Sequence, residues 1–210
     1  MGLKHEATAQ PEPAPAQAGP PDPVRRAKTE PNYLEELCKA CGVRHRMGVQ
    51  VKRGRGQNAV VTVEAAIAEG GRRRQGERIY NEVWCVLDVE HAAHEAKLNE
   101  ATALARIHDI RLFLSNPSFE VWLIAHFERV TRDFADGGAA EAYLNAHWRR
   151  HIGGDYEKGD PKLFEKLAGR VSAASDNAQW ILETFHANAP CRASNASTEV
   201  YQLVQQLRQP

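Results

Sequence analysis

Glu82-Val83-Trp84-Cys85-Val86-Leu87-Asp88-Val89-Glu90-His91 is the stretch whose reading decides the fold, and Ile110-Arg111-Leu112-Phe113-Leu114-Ser115-Asn116-Pro117 echoes it. From Val83 to Leu87 the side chains are apolar without polar alternation, and the run ends at Asp88 and Glu90. So short an unbroken apolar run reads as a strand buried on both faces, the pattern of a parallel sheet. Such sheets gather their ligands beyond the carboxyl ends of the strands. Two carboxylates with one residue between them at that edge offer hard oxygen donors, the chemistry that suits Mg2+ or Mn2+.

Working outward, His91 to about Ile107 reads as a helix with Leu98, Ala101, Leu104, Ala105 and Ile107 inward, and Arg111 to Leu114 as the next strand. Asn116-Pro117 then predicts a helix start, Asn as cap and Pro at the first helical position. The helix Pro117–Glu128 is apolar almost all round, so it is expected to be buried. Glu120 in its first turn would face the same edge as Asp88. A buried carboxylate needs a charged or metal partner, and complementing the helix dipole is the competing role. His126 is read as a hydrogen-bonded core histidine rather than a ligand.

Upstream, Thr29 to about Cys41 is predicted helical with Gly42 as its stop, and Val43 to Val51 as a strand. Lys52-Arg53-Gly54-Arg55-Gly56-Gln57-Asn58 is a glycine-spaced basic loop before a helix from Asn58 to about Arg74. Its amides and arginines suit a phosphate at the helix N-terminus, and a plain flexible loop suits the pattern equally. Alternating helices and strands argue for parallel βαβ units. After Thr131 only helices are expected: Ala139–His151, one or two between Pro161 and His186, and Thr198–Leu207, with Ser197 or Thr198 as the last helix's cap.

Three segments follow. Residues 1–27 form a Pro/Ala-rich tail without apolar periodicity, expected to be disordered. Residues 28–130 form the α/β core and residues 131–210 a helical C-terminal part. Lys+Arg 27 balances Asp+Glu 27, so net charge points to no partner. Local charge is less even, for Arg44, Arg46, Lys52, Arg53, Arg55 and Arg72-Arg73-Arg74 crowd one third of the chain. A solvated surface explains each of these as well as a polyanion does. No apolar stretch is long enough to span a membrane and no secretory core is seen, so a cytoplasmic protein is expected. The 4 cysteines include a Cys38-x-x-Cys41 pair, but buried or incidental thiols are the better reading than zinc.

Lys28-Thr29-Glu30-Pro31-Asn32-Tyr33, Val83 to Asp88, Ser115-Asn116-Pro117-Ser118-Phe119-Glu120-Val121-Trp122-Leu123, Tyr156-Glu157-Lys158 and Asn195-Ala196-Ser197-Thr198 together resemble the RloB family. These are prokaryotic proteins met near restriction and abortive-infection loci, and the resemblance covers residues 28 to 210. It implies a Toprim-like parallel sheet with flanking helices, followed by a helical C-terminal extension. Toprim domains hold magnesium for phosphodiester chemistry on an acid after the first strand and an Asp-x-Asp after a later one. By that similarity Asp88 and Glu90 take the Asp-x-Asp positions, with Glu for Asp at the second, and are the metal ligands. Glu120 and Lys158 fall on family-typical catalytic positions. Arg53, Arg55 and Asn116 are the candidate substrate contacts.

The chain departs from the family pattern before Lys28. Where the family has a hydrophobic strand ending in Cys-Glu-Gly-Glu-like residues, this chain has Pro21-Asp22-Pro23-Val24-Arg25-Arg26-Ala27. Two prolines and two arginines do not make a central strand, so the first strand and its glutamate are expected to be lost. Three functions remain open. One is a magnesium- or manganese-dependent nuclease of antiphage defence, acting on DNA or RNA with an ATPase encoded nearby. Another is an inactive binding or regulatory subunit of such a system. The last is a nucleotide-binding α/β protein using Gly54–Asn58, which lacks a Walker or Gly-x-Gly-x-x-Gly fingerprint and ranks below the others.

Overall fold

The computed structural model describes residues 29–43, 58–74, 76–78, 80–89 and 95–208. Outside them lie residues 1–28, most of the expected strand 43–51, the basic loop with Arg53 and Arg55, and Glu90. Helix α1 covers Thr29–Ala40, and Gly42 at φ +67° follows it as the expected stop. Helix α2 covers Ala59–Gly70 and starts under Asn58, whose side-chain oxygen accepts from the Val61 amide. It ends short of Arg74 because Arg73–Arg74 (β1) pairs antiparallel with Glu77–Arg78 (β2), a hairpin the apolar pattern did not announce.

The sheet is built on the two apolar runs. Strand β3, Val83–Asp88, and strand β4, Ile110–Asn116, run parallel in register from Val83↔Ile110 to Asp88↔Ser115. Helix α3, Glu95–Ile107, joins them and completes the expected βαβ unit. A third strand corrects two expectations at once. Ser197–Thr198 (β5) lies antiparallel to the end of β4, with Ser115↔Thr198 and Asn116↔Ser197. The sheet is therefore mixed, in the order β3-β4-β5, and the C-terminal part is not purely helical. The physical reason is the exposed backbone edge of β4, whose amides and carbonyls need partners once buried.

Strand β3 is not sealed on both faces as expected. Cys85 and Leu87 are buried, whereas Val83, Trp84 and Val86 are partly covered. Among the described residues β3 pairs on one side only, and the Arg111 guanidinium covers the Trp84 ring at 5.6 Å. Helices cover both faces. Gly70 of α2 packs so closely that an added Cβ would stand 3.1 Å from Val83 Cγ2. On the other face Arg111 donates to Gln206 of helix α8, Val200–Arg208.

Helix α4 spans Glu120–Ala125 and all its residues are buried, as its apolar composition required. It begins later than Asn116-Pro117 predicted. Asn116 is the last residue of β4, and its side-chain amide donates to the carbonyls of Cys191 and Arg192 at 3.1 and 3.2 Å. Its peptide bond to Pro117 is cis, and Phe119 holds the cap position. Helices α5 (Gly137–His151), α6 (Leu163–Leu167) and α7 (Val171–Trp180) follow. They do not form a separate body. Tyr33 of α1 meets Phe119, Trp122 and Phe164 edge-on with ring centroids 5.8, 6.3 and 5.3 Å apart, inside one continuous core. Burying a side chain of this size contributes about 2–3 kcal/mol.

Candidate functional site at the carboxyl edge of the sheet

The edge is closed by groups from distant parts of the chain. Asp88, partly buried, ends β3 opposite Ser115, and the Val89 amide still donates to the Ser115 carbonyl at 2.9 Å. The Ser115 and Thr198 hydroxyls share a hydrogen bond of 2.7 Å. Thr198 also accepts from the Val200 amide, so it does serve the last helix. Glu199 prolongs the pairing: its amide donates to the Leu114 carbonyl, and its carboxylate accepts from the Leu114 amide at 2.9 Å. Burial raises the Glu199 pKa, opposed by that backbone donor.

Past the end of β4 stands Glu120. It is buried, and both its oxygens are engaged: Ser118 Oγ donates to Oε2 at 2.6 Å, and Lys158 Nζ lies 3.1 Å from Oε1. Lys158 Nζ also lies 3.0 Å from Oε2 of Glu141 on α5. Burial works against the lysine's charge, but Glu120 and Glu141 outweigh it and hold Lys158 above the usual lysine range. The loop carrying it is fixed to the start of α1, where the Gly159 amide donates to Thr29 Oγ1 at 3.0 Å and Asn32 Nδ2 to the Gly159 carbonyl at 3.3 Å. Gly159 sits at φ +79°, open to glycine without strain. Tyr156 is buried against Trp148. Burial, and then the Glu120 carboxylate, push its ionisation above the usual tyrosine range.

All five segments that carry the family resemblance meet here. Thr29 and Asn32 hold the turn that bears Lys158, Lys158 holds Glu120, and Ser115 and Asn116 pair with Thr198 and Ser197. Asp88 stands beside Ser115. Of the expected site residues, Glu120 and Lys158 touch, Asp88 lies at the same sheet edge, and Asn116 is committed to the 191–192 carbonyls. Glu90, Arg53 and Arg55 fall outside the described residues.

Sequence reasoning missed Glu141, the second partner of Lys158, because no motif surrounds it and only the packing of α5 brings it near. Ser118 and Tyr156 lay inside quoted segments without a role. Among the described residues no three His, Cys, Asp or Glu side chains gather to hold a metal ion. His126 is the core histidine expected. Its Nδ1 donates to the Trp122 carbonyl at 3.0 Å and its Nε2 accepts from the Tyr33 hydroxyl at 2.9 Å. Cys38, Cys85 and Cys191 are buried, and Cys41 is partly exposed. No described helix is long and apolar enough to cross a membrane.

Fold and site define a mixed α/β protein whose sheet edge presents a lysine clamped between acids beside the end of a parallel strand. The profile described as RloB-like protein matches residues 25–207, and the chain belongs to that family. No curated protein and no solved structure matches it.

Proposed function

We propose that this RloB-like protein is a metal-dependent nuclease of prokaryotic antiphage or abortive-infection defence, with a Toprim-like core. The observation that carries this reading is the meeting of five separated segments at one sheet edge, with carboxylates and a lysine among them. Phosphodiester cleavage asks for fixed oxygen ligands and positive charge near the phosphate. Asp88 and Glu90 would be the oxygen donors for Mg2+ or Mn2+, hard ligands that fit these ions. When bound, the ion supplies an activated water and neutralises developing charge. Glu120 is a weaker candidate ligand, because Ser118 and Lys158 already use its oxygens; it positions Lys158 instead. Arg53 and Arg55 steady the phosphate backbone of DNA or RNA, an ATPase encoded nearby is the partner, and the cytoplasm is the compartment.

One observation favours a second reading, a catalytically inactive binding or regulatory subunit: Ser118 and Lys158 engage both oxygens of Glu120, the buried acid at this edge. A single assay separates the two. Nucleic-acid cleavage in Mg2+ or Mn2+ is compared between the natural chain and Asp88→Ala. Cleavage abolished by the substitution supports the nuclease; cleavage that persists removes Asp88 from the chemistry, and none in either protein leaves the inactive subunit.

A further inference from the structure

A second surface lies away from the acid-lined edge. Helix α5 turns Glu141, Asn145 and Arg149 toward the loop that carries Lys158, through contacts with Lys158, Tyr156 and Asp155. Tyr143, His147 and His151, spaced four residues apart, mark another face. There the segment after α4 and the residue before α7 lay arginines on rings. Arg129 Cζ lies 4.8 Å from the centre of the Trp180 ring, Arg132 Cζ 5.1 Å from that of Tyr143, and Arg170 Cζ 5.5 Å from that of Phe127.

Among the described residues none of Arg129, Arg132, Arg150 and Arg170 ion-pairs with a carboxylate. The nearby acids are otherwise engaged: Glu128 accepts from Tyr143 and faces His147 Nε2 at 3.5 Å, while Glu183 accepts from Tyr201 and Gln179. These carboxylates are held by neutral donors and keep their charge, and Asp133 and Asp176 are exposed acids nearby. The arginines therefore stand out by lacking ion pairs rather than by an excess of positive charge. In a chain whose charges balance, this gathering of unpaired guanidinium groups is local. Arg129, Arg132 and Arg170 are held by rings rather than counter-ions. Apart from Arg129 Nε, which donates to Asn177 Oδ1 at 3.3 Å, such guanidinium groups keep their donors for another anion. Arg150 is exposed on α5, close enough to Tyr143 to act on its hydroxyl.

The same surface offers ring faces to the solvent. Phe185 is 45% exposed and stacks on Trp180 at 6.3 Å and 23°. His151 is exposed and stacks on Phe127 at 5.3 Å and 18°. Phe185 is backed by Trp180, with His186 edge-on at 4.9 Å, and His151 lies against both Phe127 and His147, the latter at 6.1 Å and 14°. We propose that this surface binds single-stranded nucleic acid, with phosphates on Arg129, Arg132, Arg150 and Arg170 and bases stacked on Phe185 and His151. A cationic track with interleaved aromatic rings is the recognition chemistry of unpaired strands. Duplex ends its use of the rings, since paired bases are stacked on one another. An acidic protein uses the arginines but leaves the rings without a role.

The inference does not rest on cleavage, so it is tested in EDTA. Binding of a short fluorescent oligothymidylate to the full chain is followed against salt. Arg129→Gln/Arg132→Gln weakens binding about ten-fold or more and lowers the salt slope by about 1.4, since each lost phosphate contact on a single strand removes about 0.7. Phe185→Ala weakens it about five-fold or more through lost stacking. Lys97→Gln/Arg106→Gln, the same charge change on α3, leaves binding unchanged, and circular dichroism checks each fold. No binding by the natural chain, equal loss in the α3 control, or indifference to both patch variants overturns the proposal. Indifference to Phe185→Ala alone, with heparin bound as tightly, overturns it in favour of an acidic protein partner.

Discussion

Lys158 Nζ stands between Oε1 of Glu120 at 3.1 Å and Oε2 of Glu141 at 3.0 Å, but the two carboxylates are unequal. Glu120 is 5% exposed and braced by Ser118, whereas Glu141 is 39% exposed on a helix surface. Removing the lysine leaves Glu120 as a buried charge with one hydroxyl donor. Lys158→Met is expected to cost about 1–3 kcal/mol, less than a fully buried pair because Lys158 is itself 43% exposed. Glu141→Gln costs under about 1 kcal/mol. Urea unfolding of both variants measures the contrast, and equal losses refute the assignment of Glu120 as the anchor.

His126 makes stability depend on pH. Burial lowers its pKa from 6.5 to about 4, because the charged ring would lose water it cannot replace. A folded-state pKa depressed in this way gives stability that is fully present above pH 6.5. It declines as the pH falls toward 4, since the unfolded chain binds the proton first. A lowering from 6.5 to about 4 corresponds to roughly 3 kcal/mol. Unfolding midpoints between pH 7 and pH 4 are expected to fall for the natural chain and to flatten for His126→Gln. An unchanged slope in the variant shows that another group is responsible.

Asn116, expected to touch substrate, is held by the scaffold. Asn116→Ala leaves the carbonyls of Cys191 and Arg192 without that donor, at a cost of about 1–3 kcal/mol. Thermal unfolding reads the loss. A variant of natural stability with impaired substrate affinity restores Asn116 to the binding residues.

The Asn58 cap gives a local control. Asn58→Ala is expected to cost about 1 kcal/mol, and Asn58→Asp to restore most of it by keeping the oxygen acceptor for Val61. Hydrogen exchange in the first turn of α2 should quicken in the alanine variant alone.

The parts of the fold legible in sequence were those set by local pattern. The apolar runs of β3 and β4 and the helix between them announce themselves, as does the glycine stop after α1. Strand β5 was illegible because two residues carry no periodicity; only the free edge of β4 makes Ser197–Thr198 a strand. Asn116-Pro117 reads equally as a helix start or a strand end, and pairing with a segment some eighty residues away decides it. At the site, Glu120 was legible from its place in the first turn of a buried helix past β4, and Lys158 stood out through the resemblance to a family to which the chain belongs. Glu141 was out of reach, since nothing near it in sequence marks it and the contact exists only once α5 packs.

The late arrival of β5 has a consequence for how the molecule is made. Ser115 and Asn116 leave the ribosome long before Ser197 and Thr198, so the outer rim of β4 waits uncovered while the intervening helices are synthesised. An open strand rim on a nascent chain is a template for association with its neighbours. Premature stop codons between α7 and β5 should therefore yield insoluble rather than merely inactive protein, and this part of the gene should tolerate slow translation poorly.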